Sequence, residues 1–149
     1  MRLRISIALL PMMALLAAAL APAPAGASPS GFPPGTYTIT MTDADYPPGF
    51  PEEGKAPGTF TNEFTADGRL IVTHESFEGV LVEARYISNP ARLVITRESG
   101  PFACSNFQSN VTAVYEWTFD GSELTVTPVH DSCEPRRVVL TAHPMQLQP

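Results

Sequence analysis

The residues best equipped for chemistry crowd between His130 and Glu134, where an imidazole, two carboxylates, a hydroxyl and a thiol follow one another along the chain. Such a set suggests a metal site or a Ser-His-Asp relay. Adjacent side chains on extended backbone diverge, however, and a nucleophile needs its base within hydrogen-bond reach, so Ser132 with His130 and Asp131 is no triad. A disulfide at Cys133, set in a solvated polar turn, explains the cluster more simply. Its partner would be Cys104, and the pair lacks the C-x-x-C spacing of redox or metal thiols. Closing that loop would stabilise the fold by roughly 3–4 kcal/mol on the chain-entropy argument.

His74 is the other candidate, because an imidazole on an apolar face can ligate haem iron or another metal. No second ligand stands at a fixed spacing from it, so a hydrogen-bonded histidine near a strand end is expected, and no metal or cofactor. An acid and base pair inside the protein would have to come from His74 and Arg97, a weak basis for an enzyme. Glu83 and Glu116 alternate with apolar residues and belong to a solvated face. Asn110-Val111-Thr112 matches a glycosylation sequon, a short pattern that recurs by chance.

The elements that must position these groups begin after a leader. Met1-Arg2-Leu3-Arg4 is basic, an uncharged apolar run extends from Ile5 to Leu20, and Ala25-Gly26-Ala27 offers small residues to a signal peptidase. Cleavage before Ser28 is expected, giving an exported chain of residues 28–149 in an oxidising compartment where Cys104 and Cys133 can pair. An uncleaved anchor is the other reading; the run is short for a span, and none is expected after cleavage. The formal charge of −6 becomes −8 when Arg2 and Arg4 leave with the leader, which makes nucleic acid and anionic lipid poor partners.

Residues 28–34 read as an extended, proline-containing arm, and residues 35–149 as one domain. Within it, apolar and polar residues alternate with period two, the pattern of half-buried antiparallel strands. Strands are expected at 36–42, 58–65, 69–75, 79–87, 91–97, 112–119, 123–129 and 136–142. Tyr37, Ile39 and Met41 share a face of the first strand, and Val80, Val82, Ala84 and Tyr86 a face of the fourth. Asp120-Gly121 is the strongest hairpin signal. Residues 43–57, with Pro47, Pro48, Pro51 and Pro57, form a long loop or lid. No segment shows a helical period. Pairing the first strand with the last removes both sheet edges, so an all-β, eight-stranded antiparallel up-and-down barrel is expected; a two-sheet sandwich would satisfy the same alternation.

Gly35-Thr36-Tyr37 opening the first strand, the long loop after it and Arg136-Arg137 opening the last strand resemble the calycin group, specifically small bacterial secreted lipocalin-like domains. Gly100-Pro101-Phe102-Ala103-Cys104, Trp117, Leu124 and Asp131-x-Cys133 are similar to such domains too. The resemblance implies that Gly35 and Tyr37 pack with Arg136 or Arg137 to close one barrel end, that the long loop covers the other, and no established ligand. Tyrosine stands where lipocalins usually have tryptophan, no Thr-Asp-Tyr motif appears, and the helix near the lipocalin C-terminus is missing.

The inward parity selects Tyr37, Phe60, Asn62, Phe64, His74, Tyr86, Arg97, Tyr115 and Trp117 as ligand-binding candidates, an apolar lining with a few polar groups. The same aromatic bulk could instead fill the lumen. Two functions follow from these alternatives. A non-enzymatic carrier would hold a small hydrophobic molecule under the 43–57 lid. A protein-binding barrel, similar in plan to small secreted protease inhibitors, would insert the arm from Ser28 to Pro33 into a partner's cleft.

Overall fold

Period-two alternation folds here as a cylinder. The computed structural model describes residues 31–106, 108 and 111–149. The expected leader, Ser28 to Ser30 of the arm and Asn110 of the sequon lie outside the described residues. The strands are β1 (Gly35–Met41), β2 (Gly58–Phe64), β3 (Arg69–His74), β4 (Val82–Ser88), β5 (Leu93–Ser99), β6 (Ala113–Phe119), β7 (Glu123–His130) and β8 (Met145–Leu147). Each pairs antiparallel with its neighbour in the chain, and β8 returns to β1 through Tyr37 opposite Leu147 and Thr38 opposite Gln146, which closes an up-and-down barrel.

The inner face follows the parity of the residues. Tyr37, Ile39 and Met41 of β1, Phe60, Asn62 and Phe64 of β2, and Leu70, Val72 and His74 of β3 are all buried. Outward threonines meet across the β1–β2 ladder, as Thr40 and Thr59 do at 3.3 Å between hydroxyls. Glu83 and Glu116 face outward to Arg69 and Arg92. Gly35 opens β1 because a Cβ there would stand 2.8 Å from the Leu147 side chain, where β8 seals the barrel. Gly121 takes φ +106° in the β6–β7 turn, a conformation glycine adopts without steric cost.

Three expectations are corrected. Residues 136–142 are not the last strand: they lie in a helix, α1 (Glu134–Thr141), and β8 comes after it. Pro135 is the reason, since it has no N–H for a ladder but fits the first helical turn, next to the acidic Glu134. The chain thus does carry a helix near its C-terminus. Its faces have separate tasks: Val139 and Leu140 look into the barrel, while Val138 and Ala142 look toward the 43–57 loop.

The fourth strand starts at Val82, not Gly79, and the residue turned inward before it is Leu81, while Val80 is exposed. The third correction concerns Arg97, which is exposed and not inward. Its φ of +54° marks a bulge in β5, where three residues span the stretch that two cover on β4: Glu83 pairs with Ser99 and Arg85 with Thr96. One extra residue reverses the parity beyond it. Glu98 is turned inward in place of Arg97.

Candidate functional site

The two ends of the barrel are built differently. Where β1 begins, Phe32 folds in from the arm and its ring centroid lies 4.8 Å from Phe64, 5.3 Å from Trp117 and 5.5 Å from Tyr86. Tyr37 stands edge-on to Phe64 and to Phe119 at 6.0 and 6.3 Å. The polar tips are satisfied: the Tyr37 hydroxyl donates to the Pro33 carbonyl at 2.9 Å, the Tyr86 hydroxyl to that of Thr65 at 2.6 Å, and the Trp117 indole to that of Asn89 at 3.0 Å. Burial, with a smaller contribution from Tyr86, pushes the Tyr37 hydroxyl up to about 12. These rings fill their half of the lumen. Neither arginine takes part in closing it, because Arg136 and Arg137 ride on α1 at the opposite end.

That opposite end holds a cavity of about 720 Å³, within the range of small-molecule sites. Phe60, Asn62, Leu70 and Val72 form its strand-borne wall. Tyr46 and Phe50 of the lid cover it, their rings 5.0 Å apart, and the Tyr46 hydroxyl accepts the Ala56 N–H at 2.9 Å. The lid is tied down further by Asp45, which accepts hydrogen bonds from Thr42 and lies 2.8 Å from His143 Nε2. Phe77 and Phe102, 5.3 Å apart and partly exposed, form the rim. Val139 and Leu140 of α1 complete the lining.

One wall of the cavity is charged and buried. Arg136 grips Asp131 with two hydrogen bonds, Nε to Oδ2 at 2.9 Å and Nη2 to Oδ1 at 2.6 Å, and its Nη1 reaches the Val111 carbonyl at 2.8 Å and the Glu98 carboxylate. Glu98 accepts the Cys104 N–H at 2.9 Å with its other oxygen. Asp131 also accepts the Cys133 N–H at 2.8 Å and the Tyr115 hydroxyl. The side chains of Arg136, Glu98 and Asp131 are 7%, 1% and 0% exposed, so Asp131 is not part of a solvated turn as its neighbours suggested.

Burial of Asp131 works to raise its pKa, but Arg136, Tyr115 and the Cys133 N–H outweigh it and hold the carboxyl below its ordinary range. Burial foremost, then Asp131, pushes the Tyr115 hydroxyl well up. The disulfide between Cys104 and Cys133, with 6.0 Å between Cα atoms, pins the β5–β6 loop to the start of α1 beside this cluster.

Two polar groups on the inner face are incompletely paired. Asn62 is fully buried; its Nδ2 donates weakly to Met145 Sδ at 3.6 Å, and its Oδ1 has no partner. His74 accepts the Ser76 N–H on Nδ1 at 3.1 Å and packs 4.5 Å from Phe60, with Nε2 unpaired. Of the inward candidates, then, Phe60 and Asn62 line the cavity and His74 lies behind Phe60. Tyr37, Phe64, Tyr86 and Trp117 pack the filled end, Tyr115 serves the charged cluster, and Arg97 is outside.

Sequence reasoning missed Glu98 and the aromatic lid and rim residues, and it placed Asp131 in a solvated turn instead of the buried cluster. Tyr46 and Phe50 did carry a signal, as two large rings inside a proline-rich loop that had no strand to bury them. Among the described residues no group of three or more His, Cys, Asp or Glu side chains could hold a metal ion, and no helix is long and apolar enough to cross a membrane.

In comparison with known proteins, no protein-family model, curated protein or solved structure matches this chain. The geometry itself defines a closed eight-stranded antiparallel barrel, compatible with a lipocalin-like fold.

Proposed function

We propose that the protein is an exported, lipocalin-like carrier that encloses a small hydrophobic molecule under its lid and does not transform it. The observation that carries this reading is the half-filled lumen. The chain uses six aromatic rings to pack one end, yet leaves about 720 Å³ lined mainly by apolar side chains at the other. A protein with no cargo would gain by collapsing that space, since apolar cavities forfeit packing contacts. The leader-like N-terminus and the Cys104–Cys133 bond support export to an oxidising compartment. The described part of the arm is engaged in the barrel's own filled end through Phe32, which favours the carrier over the reading in which the arm enters a partner.

The test uses the secreted protein and a neutral, polarity-sensitive naphthalene dye. Trp117 lies in the filled end and is a poor reporter. Dye emission is expected to rise on binding and to be lost in Val72→Trp, which places an indole in the cavity, while its thermal unfolding midpoint stays close to that of the parent. Absence of dye uptake, together with native mass spectra showing no co-purified small molecule, would overturn the reading.

A further inference from the structure

The cavity has an electrostatic sign. In the buried cluster two carboxylates share one guanidinium. All four oxygens of Glu98 and Asp131 accept hydrogen bonds, from Arg136, Tyr115 and the Cys104 and Cys133 N–H groups, and none donates. Four of the five N–H donors of Arg136 are already engaged with Glu98, Asp131 and the Val111 carbonyl. With two carboxyl groups against one guanidinium, the cluster has a formal excess of one acidic group, and Glu98 and Arg136 set it against the cavity wall.

The remaining charged groups of the lining do not reverse that sign. Lys55 is paired with Glu52 and Glu134 with Arg137, while Glu53 adds a further carboxylate at the mouth. The second observation is independent of these charges. Asn62, fully buried on the strand-borne wall, carries a carbonyl oxygen without a hydrogen-bond partner, and an acceptor of this kind calls for a donor. A carboxylate ligand would offer no donor and would face a like charge; an ammonium group answers both features.

Resting on the carrier reading, we propose that the cargo is an apolar amine: an alkyl or aryl body in the Phe60–Leu70–Val72 half of the cavity, with a cationic nitrogen that meets Asn62 Oδ1 and the Glu98 side of the charged cluster. The pocket selects by head group as well as by greasiness. A neutral alcohol of the same body ranks second, and a fatty carboxylate last.

Dodecylamine, dodecanol and dodecanoate, competed against the neutral dye at neutral pH, test this ranking. Salt is raised until exposed charges are screened, so that the acidic outer surface does not attract the amine by itself. Dodecylamine is expected to bind at least about tenfold more tightly than dodecanoate, since like charges brought together without water are strongly disfavoured. Asn62→Leu is expected to weaken dodecylamine and dodecanol about fivefold and to leave dodecanoate unchanged, with an unfolding midpoint near the parent's. Dodecanoate binding as tightly as dodecylamine, or Asn62→Leu weakening all three alike, would overturn the proposal and leave the carrier reading intact. Dye uptake that none of the three competes with would do the same, whereas failure to take up the dye at all removes the carrier reading and this inference with it.

Discussion

Arg136 Nη2 stands 2.6 Å from Asp131 Oδ1, with Nε 2.9 Å from the other oxygen, a two-pronged grip that fastens the first turn of α1 to the end of β7. The pair is almost fully buried, so removing one member strands the other. Arg136→Ala leaves the Asp131 and Glu98 carboxylates without their cation and is expected to destabilise the fold by about 3–5 kcal/mol in urea unfolding. Asp131 is held below its unfolded pKa, so its contribution is fully present above that unfolded value. It is lost as pH falls from about 4 through the depressed folded value. In Asp131→Asn that part of the acid dependence should vanish from the plot of urea midpoint against pH.

Phe32 is the keystone of the filled end. It lies among Phe64, Tyr86 and Trp117 and is 5% exposed, although it belongs to the arm and to no strand. Phe32→Ala should cost about 3–5 kcal/mol, the usual range for a buried phenylalanine. Trp117 emission in the folded variant should shift to longer wavelength as water approaches the indole. A variant with parental stability would show that the arm packs elsewhere in solution.

Arg97 holds a left-handed backbone conformation that costs a non-glycine residue about 1–2 kcal/mol. Arg97→Gly should therefore be neutral or stabilising by up to about 1 kcal/mol, since glycine's greater unfolded-state freedom offsets part of the relief. Arg97→Val should be destabilising by more than 1 kcal/mol, because a branched side chain fits this region worst. If both substitutions behave alike in thermal unfolding, the bulge is not where the structure places it.

Seven strands were legible because alternation reports burial directly, and so were their inner faces apart from the start of β4 and the part of β5 beyond Thr96; Asn62 could be picked out as a polar residue on an apolar face. The bulge was not legible: no glycine marks it, and a single extra residue in β5 exchanges Arg97 for Glu98 on the inside. Without Glu98 inward, Arg136 had no visible reason to be buried. The helix was masked by Val138 and Leu140, two apart and both buried, which mimics a strand; the contrary signal was Pro135, a residue a ladder rejects. Phe32 could be assigned only in three dimensions, since nothing local tells whether an aromatic ring on an arm seeks its own barrel or another molecule.

The half-filled lumen has a directional consequence. With rings packed edge-on and tilted across its floor, the barrel of the described residues is a cup and not a tube, open only on the side of Phe77 and Phe102. For a carrier of the kind proposed above, loading and unloading would share the one doorway that Tyr46 and Phe50 cover.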